Sequence, residues 1–158
     1  MSAPVGLSLF CDDIRYEHGN KLTFVGCYGP EMLISGPMPA MLPRLGIFVQ
    51  LRLPAGISSP SKIHVYFPDS SDDKPAYSMD IAAPSVDSVR KSQMPLPSDL
   101  VPMMASNVPI LLGPVIISKE GLIKVRVECG GEIIKAGTIK IKHVDTEGAT
   151  PPNAPPPV

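Results

Sequence analysis

Tryptophan is absent from the chain, and aromatic residues make up only 5% of it. So few flat apolar rings weigh against a carbohydrate site, a stacking platform for single-stranded bases, and an antibody-like core built round a buried tryptophan. An excess of one charge is missing too: 14 Lys and Arg stand against 15 Asp and Glu, a net charge of −1. With no basic cluster to neutralise a phosphate backbone, nucleic acid is not an expected partner. Every apolar run meets Pro or Gly well short of the roughly 20 residues needed to cross a bilayer as a helix, so no membrane span is expected.

Cysteine is scarce. Cys11, Cys27 and Cys129 are irregularly spaced and form no C-x-x-C pair, which argues against a disulfide framework or a structural zinc site. Three buried reduced thiols are expected, and a Cys11–Cys27 bridge stays open if their strands are neighbours. The start, Met1 to Gly6, lacks the basic and apolar segments of a secretory signal, so cytoplasmic residence is the default expectation.

What is abundant is punctuation. Twenty prolines and 13 glycines are spread over the 158 residues, and since proline removes a backbone donor and breaks helix interiors, long helices are excluded. The length fits one domain. Between the punctuation marks, strand patterns recur. Leu45, Ile47, Val49, Leu51 and Leu53 share one face while Gln50 and Arg52 take the other. Leu7–Ile14 and Leu22–Tyr28 form a hairpin closed by Glu17-His18-Gly19-Asn20-Lys21, whose Gly-Asn pair suits positive φ values. Ile63, Val65 and Phe67, and then Tyr77, Met79 and Ile81, alternate with polar residues.

The stretch 83–109 reads as a long Pro-rich connection, a first candidate for a special surface. Beyond it comes a meander of Val115–Ile117, Leu122–Cys129, Glu132–Lys135 and Thr138–Val144. Gly130-Gly131 is its two-residue turn, and Ala136-Gly137 marks a bulge or bend. Residues 147–158 hold five prolines and nothing to bury, which predicts an extended tail outside a β-domain spanning 1–146. The fold class expected is all-β: a single antiparallel β-sandwich, immunoglobulin-like or C2-like, with Pro-rich connections.

Few residues suggest chemistry. Asp12, Asp13, Glu17 and His18 form the densest polar cluster, and oxygen-rich sets suit divalent cations. Yet Asp12 and Asp13 are neighbours on a strand and point to opposite faces, and a glycine-spaced calcium loop is missing. Pairing of either Asp with Arg15, or with backbone donors at the strand end, is the favoured reading. Asp69, Asp72 and Asp73 offer calcium a second acidic loop, though such runs also make ordinary solvated turns. His18, His64 and His143 have no zinc spacing, and no nucleophile elbow or phosphate-binding loop occurs. A spatially assembled set of Cys11, His64 or His143 with Asp13 would be needed for nucleophilic catalysis. Met32, Met38, Met41, Met94, Met103 and Met104 fall in Pro-rich segments and offer either an adaptable apolar patch or cover for the ends of the fold.

The run Phe10-Cys11-Asp12-Asp13-Ile14-Arg15-Tyr16-Glu17, followed by Gly19, Lys21, Val25-Gly26, Tyr28-Gly29, Met32 and Leu42-Pro43, resembles a family of small bacterial and bacteriophage proteins of unknown function that open in this way. The closing Gly137-Thr-Ile-Lys-Ile141 is similar as well. The resemblance implies a bacterial or phage origin and a single β-sandwich, and it transfers no activity, ligand or catalytic residue.

Together these features lead to the expectation of a non-enzymatic protein-binding or structural module, a phage, prophage or bacterial accessory component in the host cytoplasm or on a virion. A protein partner or homo-oligomer is expected, and no cofactor, metal or small molecule. The alternatives are a metal-dependent hydrolase using Asp12, Asp13, Glu17 and His18, and a calcium-dependent surface-binding sandwich using Asp69, Asp72 and Asp73.

Overall fold

A computed structural model describes residues 3–54, 59–83 and 103–145. They form eleven strands: β1 (Val5–Glu17), β2 (Lys21–Cys27), β3 (Glu31–Ser35), β4 (Ala40–Leu42), β5 (Leu45–Pro54), β6 (Ser61–Tyr66), β7 (Tyr77–Ile81), β8 (Met103–Leu112), β9 (Val115–Ile117), β10 (Gly121–Cys129) and β11 (Glu132–Val144). Among the described residues there is no helix. The tail expected from residue 147, Met94, and residues 84–102 of the expected connection lie outside the described residues.

The strands make a four-stranded sheet in the order β2-β1-β5-β8, a five-stranded sheet in the order β3-β11-β10-β6-β7, and a two-stranded β4-β9 pair, none closed into a barrel. Turn chemistry acted where it was read. Gly130 and Gly131 carry φ of 60° and 84° between β10 and β11, as a two-residue primed turn requires, and Gly19 and Asn20 carry 77° and 58° in the three-residue loop between the partners Glu17 and Lys21. Ala136 is the extra residue of a bulge, since Val125 faces Gly137 while Arg126 faces Lys135. The bulge leaves β11 continuous, so the two strands expected there are one.

Three expectations are corrected. The pairing is not purely antiparallel: β3 runs parallel to β11, with Ile141 opposite Met32 and His143 opposite Ile34. Met32 and Ile34 drive this, because burying their side chains against the core needs an open edge, and β11 supplies it. The connection read over 83–109 becomes strand β8 from Met103 onward, with Val108 and Ile110 buried. Pro109 misled the sequence reading; it is admitted because, among the described residues, β8 ends its sheet, where an outward N–H would have no strand to bond. Finally, Asp12 and Asp13 lie well inside β1 rather than at a strand end.

The core is one cluster drawn from both larger sheets and the β4-β9 pair. It includes Phe10 of β1, Leu45 through Leu53 of β5 at alternate positions, Ile63 and Val65 of β6, Ile123, Val125, Val127 and Cys129 of β10, and Ile139 and Ile141 of β11. Strand β1 contributes unusually. Toward β11 it presents Gly6 and Ser8, and a Cβ added at Gly6 would sit 2.8 Å from that of Ala136, while one at Gly137 would sit 2.7 Å from that of Ser8. Small residues on both strands thus let the two sheets close to backbone contact. The Ser8 hydroxyl is buried there without a hydrogen-bond partner among the described residues.

Chemical denaturation of three variants checks this packing. Gly6→Ala lowers stability by about 1–3 kcal/mol through overpacking, whereas Ser8→Ala leaves it unchanged or raises it by about 1 kcal/mol, because an unpaired buried hydroxyl is removed. Ile141→Ala, at a fully buried site, costs about 2–5 kcal/mol.

Candidate functional site

The acidic residues of the first hairpin are engaged separately. Strand β1 carries them past β2 and the β4–β5 connection, so each meets a different neighbour. The Tyr28 hydroxyl donates to Asp12 Oδ1. Burial first, and then this carboxylate, push the Tyr28 phenol well above its ordinary range. Asp13 pairs with Arg44 at 3.1 Å and Arg15 at 3.5 Å. Partial removal from water raises the Asp13 carboxyl, but hydrogen bonds and charge from the two arginines outweigh it and hold the group below the usual range. The expected Asp–Arg15 pairing is therefore present, with Arg44 added.

Glu17 faces Lys21 at the hairpin end, and His18 is exposed in the turn. Four or five residues of strand separate Glu17 from the two aspartates, about 13–17 Å at strand rise, far beyond a shared ion. The second acidic loop is likewise divided. Asp69 accepts from Ser118 Oγ at 3.1 Å, Asp72 pairs with Lys124 at 2.8 Å, and Asp73 is exposed in the tight turn between Ser71 and Lys74. Lys124 holds the Asp72 carboxyl below its ordinary pKa. Among the described residues no three His, Cys, Asp or Glu gather as a metal would need.

The histidines also have separate duties. His64 Nδ1 lies 2.8 Å from Ser78 Oγ and its Nε2 3.5 Å from Glu128. The His143 Nε2 lies 2.6 Å from the Gly36 carbonyl, and its backbone N–H donates to Glu120. Cys11 points its thiol at the carbonyls of Asp13 and, on the neighbouring strand β5, Gly46. The spatial set of Cys11, His64, His143 and Asp13 is not assembled. Of the thiols, Cys11 and Cys129 are buried as expected, but Cys27 is exposed.

What the sequence reading missed is a surface. Register defines the outward face of the four-stranded sheet as rows across β1, β5 and β8: Val5, Arg52 and Ala105; Leu7, Gln50 and Asn107; Leu9, Phe48 and Pro109; and then Leu111, whose row partners Cys11 and Gly46 are buried. Val5, Leu7 and Leu111 are exposed at 54%, 63% and 47%. Phe24 of β2 stacks on Phe48 with ring centroids 5.0 Å apart. Gln50 donates to Asn107 at 3.0 Å, so its amide is partly satisfied within the face, and Arg52 is the one charge in these rows.

The outward face of the five-stranded sheet carries far more charge, although Leu33, Leu122 and Ile133 are exposed on it as well. Lys62, His64, Lys124, Arg126, Glu128, Lys140 and Lys142 stand on it, tied by Lys62–Asp80 at 3.2 Å and Lys142–Glu31 at 2.6 Å. The methionines do not gather: Met32 is in the core, Met38 packs against it, and Met41 is exposed beside Ile116 on the β4-β9 pair.

A family model matches residues 6–142. The chain belongs to DUF6941, a family of unknown function. The matched span of this DUF6941 member opens at Gly6, where the sheets touch, and runs into β11. Among curated proteins, no match to the DUF6941 chain is found.

Replacing Arg44 by Met raises the Asp13 pKa toward the ordinary carboxylate value, observable by NMR titration of the carboxyl group. The sign for stability follows: a lowered Asp13 favours folding fully above the unfolded carboxylate pKa of about 4. That contribution disappears as pH falls through the lowered value, so Arg44→Met loses less stability than the parent chain between pH 5 and strong acid, about 5 down to 1.

Proposed function

We propose that this chain is a non-enzymatic protein-binding module, a two-sheet β-sandwich whose outward β1-β5-β8 face docks a second copy of the chain. The observation that carries the reading is the exposure of Val5, Leu7 and Leu111 on a face whose rows hold one charge, Arg52. Contiguous apolar surface rimmed by polar groups marks an interaction site rather than ordinary surface. The contrast with the opposite sheet is one of charge: there the exposed Leu33, Leu122 and Ile133 stand among ion-paired lysines and carboxylates, whereas the β1-β5-β8 rows hold Arg52 alone.

The choice of occupant rests on charge and size. A two-fold interface uses the same patch on both partners, so it must be self-complementary; an almost uncharged apolar face meets that condition, and a patch selected for an oppositely charged partner would not. Ten residues of β5 and three strands give a flat patch about 34 Å by 14 Å, which with its rim approaches the roughly 800 Å² per partner of a stable interface. Face-to-face packing suits it better than strand addition, because Pro109 removes a donor from the open edge of β8.

The test is light scattering across a concentration series. The parent chain is expected to be a dimer, and Leu7→Lys with Leu111→Lys a folded monomer, because both side chains are solvent-exposed and their replacement leaves the core intact. A parent chain that is monomeric throughout the series, or a double variant that dimerises equally well, overturns the reading.

A further inference from the structure

Cys11 of β1 and Cys27 of β2 are direct register partners. The kind of pair is fixed by one hydrogen bond: the Tyr28 N–H donates to the Phe10 carbonyl at 2.8 Å. That bond joins the residue after Cys27 to the residue before Cys11, so the cysteines form a non-hydrogen-bonded pair. In such pairs the Cα atoms stand about 4.5 Å apart with side chains at their closest, inside the roughly 4.4–6.8 Å range that a disulfide spans. Both are free thiols in this structure.

The surroundings give the two sulfurs unequal roles. Cys11 is fully buried. Burial, and next the neighbouring Cys27, push its thiol up to about 11, so it attacks slowly on its own. Space for its sulfur comes from Gly46, where a Cβ would lie 2.7 Å away. Cys27 is exposed at the end of β2 and meets a reagent first.

We infer that Cys11 and Cys27 form a reversible dithiol–disulfide site, oxidised by a small-molecule disulfide through exchange at Cys27. The Cys27 thiolate attacks one sulfur of the reagent R–S–S–R, forming a Cys27–S–S–R mixed disulfide and releasing one R–S⁻. Cys11 then gives its proton to solvent, and its thiolate attacks the Cys27 sulfur, closing the Cys11–Cys27 bond and releasing the second R–S⁻. Two protein thiols are oxidised and one reagent disulfide is reduced to two thiols. The bond staples β1 to β2 across the hairpin segment 12–26 and leaves the backbone ladder in place.

Oxidised glutathione is the probe, applied to the folded full-length chain, with free thiols counted after denaturation and the bridged peptides mapped by mass spectrometry. The expected result is loss of two of the three thiols, a Cys11–Cys27 linkage with Cys129 left free, and a melting temperature raised by roughly 5–10 °C and restored by reductant. Cys11→Ala is expected to stop at a glutathione adduct on Cys27, and Cys27→Ser to leave Cys11 unmodified, with circular dichroism confirming that both variants fold. A parent chain that stops at the Cys27 adduct, links Cys27 between two molecules, or oxidises without the melting shift overturns the inference.

Discussion

The close approach of β1 and β11 organises the rest of the molecule. Gly6 and Ser8 on one strand and Ala136 and Gly137 on the other are small enough for the sheets to touch almost backbone to backbone. That contact dictates which side of β1 faces inward. Strand alternation then turns Val5 and Leu7 outward, although they are the larger and more apolar side chains. A buried hydroxyl at Ser8 and exposed leucine at position 7 are two consequences of one packing constraint. At positions 5 to 8 burial of the apolar side chains would favour the opposite facing; at this narrow point steric exclusion outweighs it, since overfilling a packed interior is itself destabilising, and Phe10 further along the strand is buried on the same side as Gly6 and Ser8.

From this comes an asymmetric molecule. One outward face is laced with ion pairs, in which lysines of β6, β10 and β11 meet carboxylates from neighbouring elements, and water solvates it. The other carries Leu, Val, Phe and Pro with one amide pair in its middle and Arg52 at one end. The acidic residues that drew attention as ligands are spent on neighbours instead: Asp12 on Tyr28, Asp13 on two arginines, Asp72 on Lys124. Each carboxylate is satisfied locally, so none is left aimed at a common point.

The strands of β5, β6 and β10 were legible because their alternation is uninterrupted, and a slip by one residue would expose the whole apolar set. The two hairpin turns were legible because Gly-Asn and Gly-Gly have a direct backbone consequence at positive φ. Strands β3 and β4 were not foreseen: each is short and lies among Gly and Pro, and β3 is held by an edge far away in the sequence. Pro109 concealed the start of β8 for a related reason, as the rule that proline disfavours strands lapses at a sheet edge, and edge position is a property of the assembled sheet.

Composition and spacing by themselves determined an all-β chain with no long helix, its main strands and its turns, because period-two alternation and turn residues act over a few neighbours. The tertiary structure alone decided the orientation of β1, the parallel pairing of β3 and the apolar outward face. Each depends on contacts between residues distant in sequence. Local pattern makes a strand two-faced, and only the partner packed against it determines which face is buried.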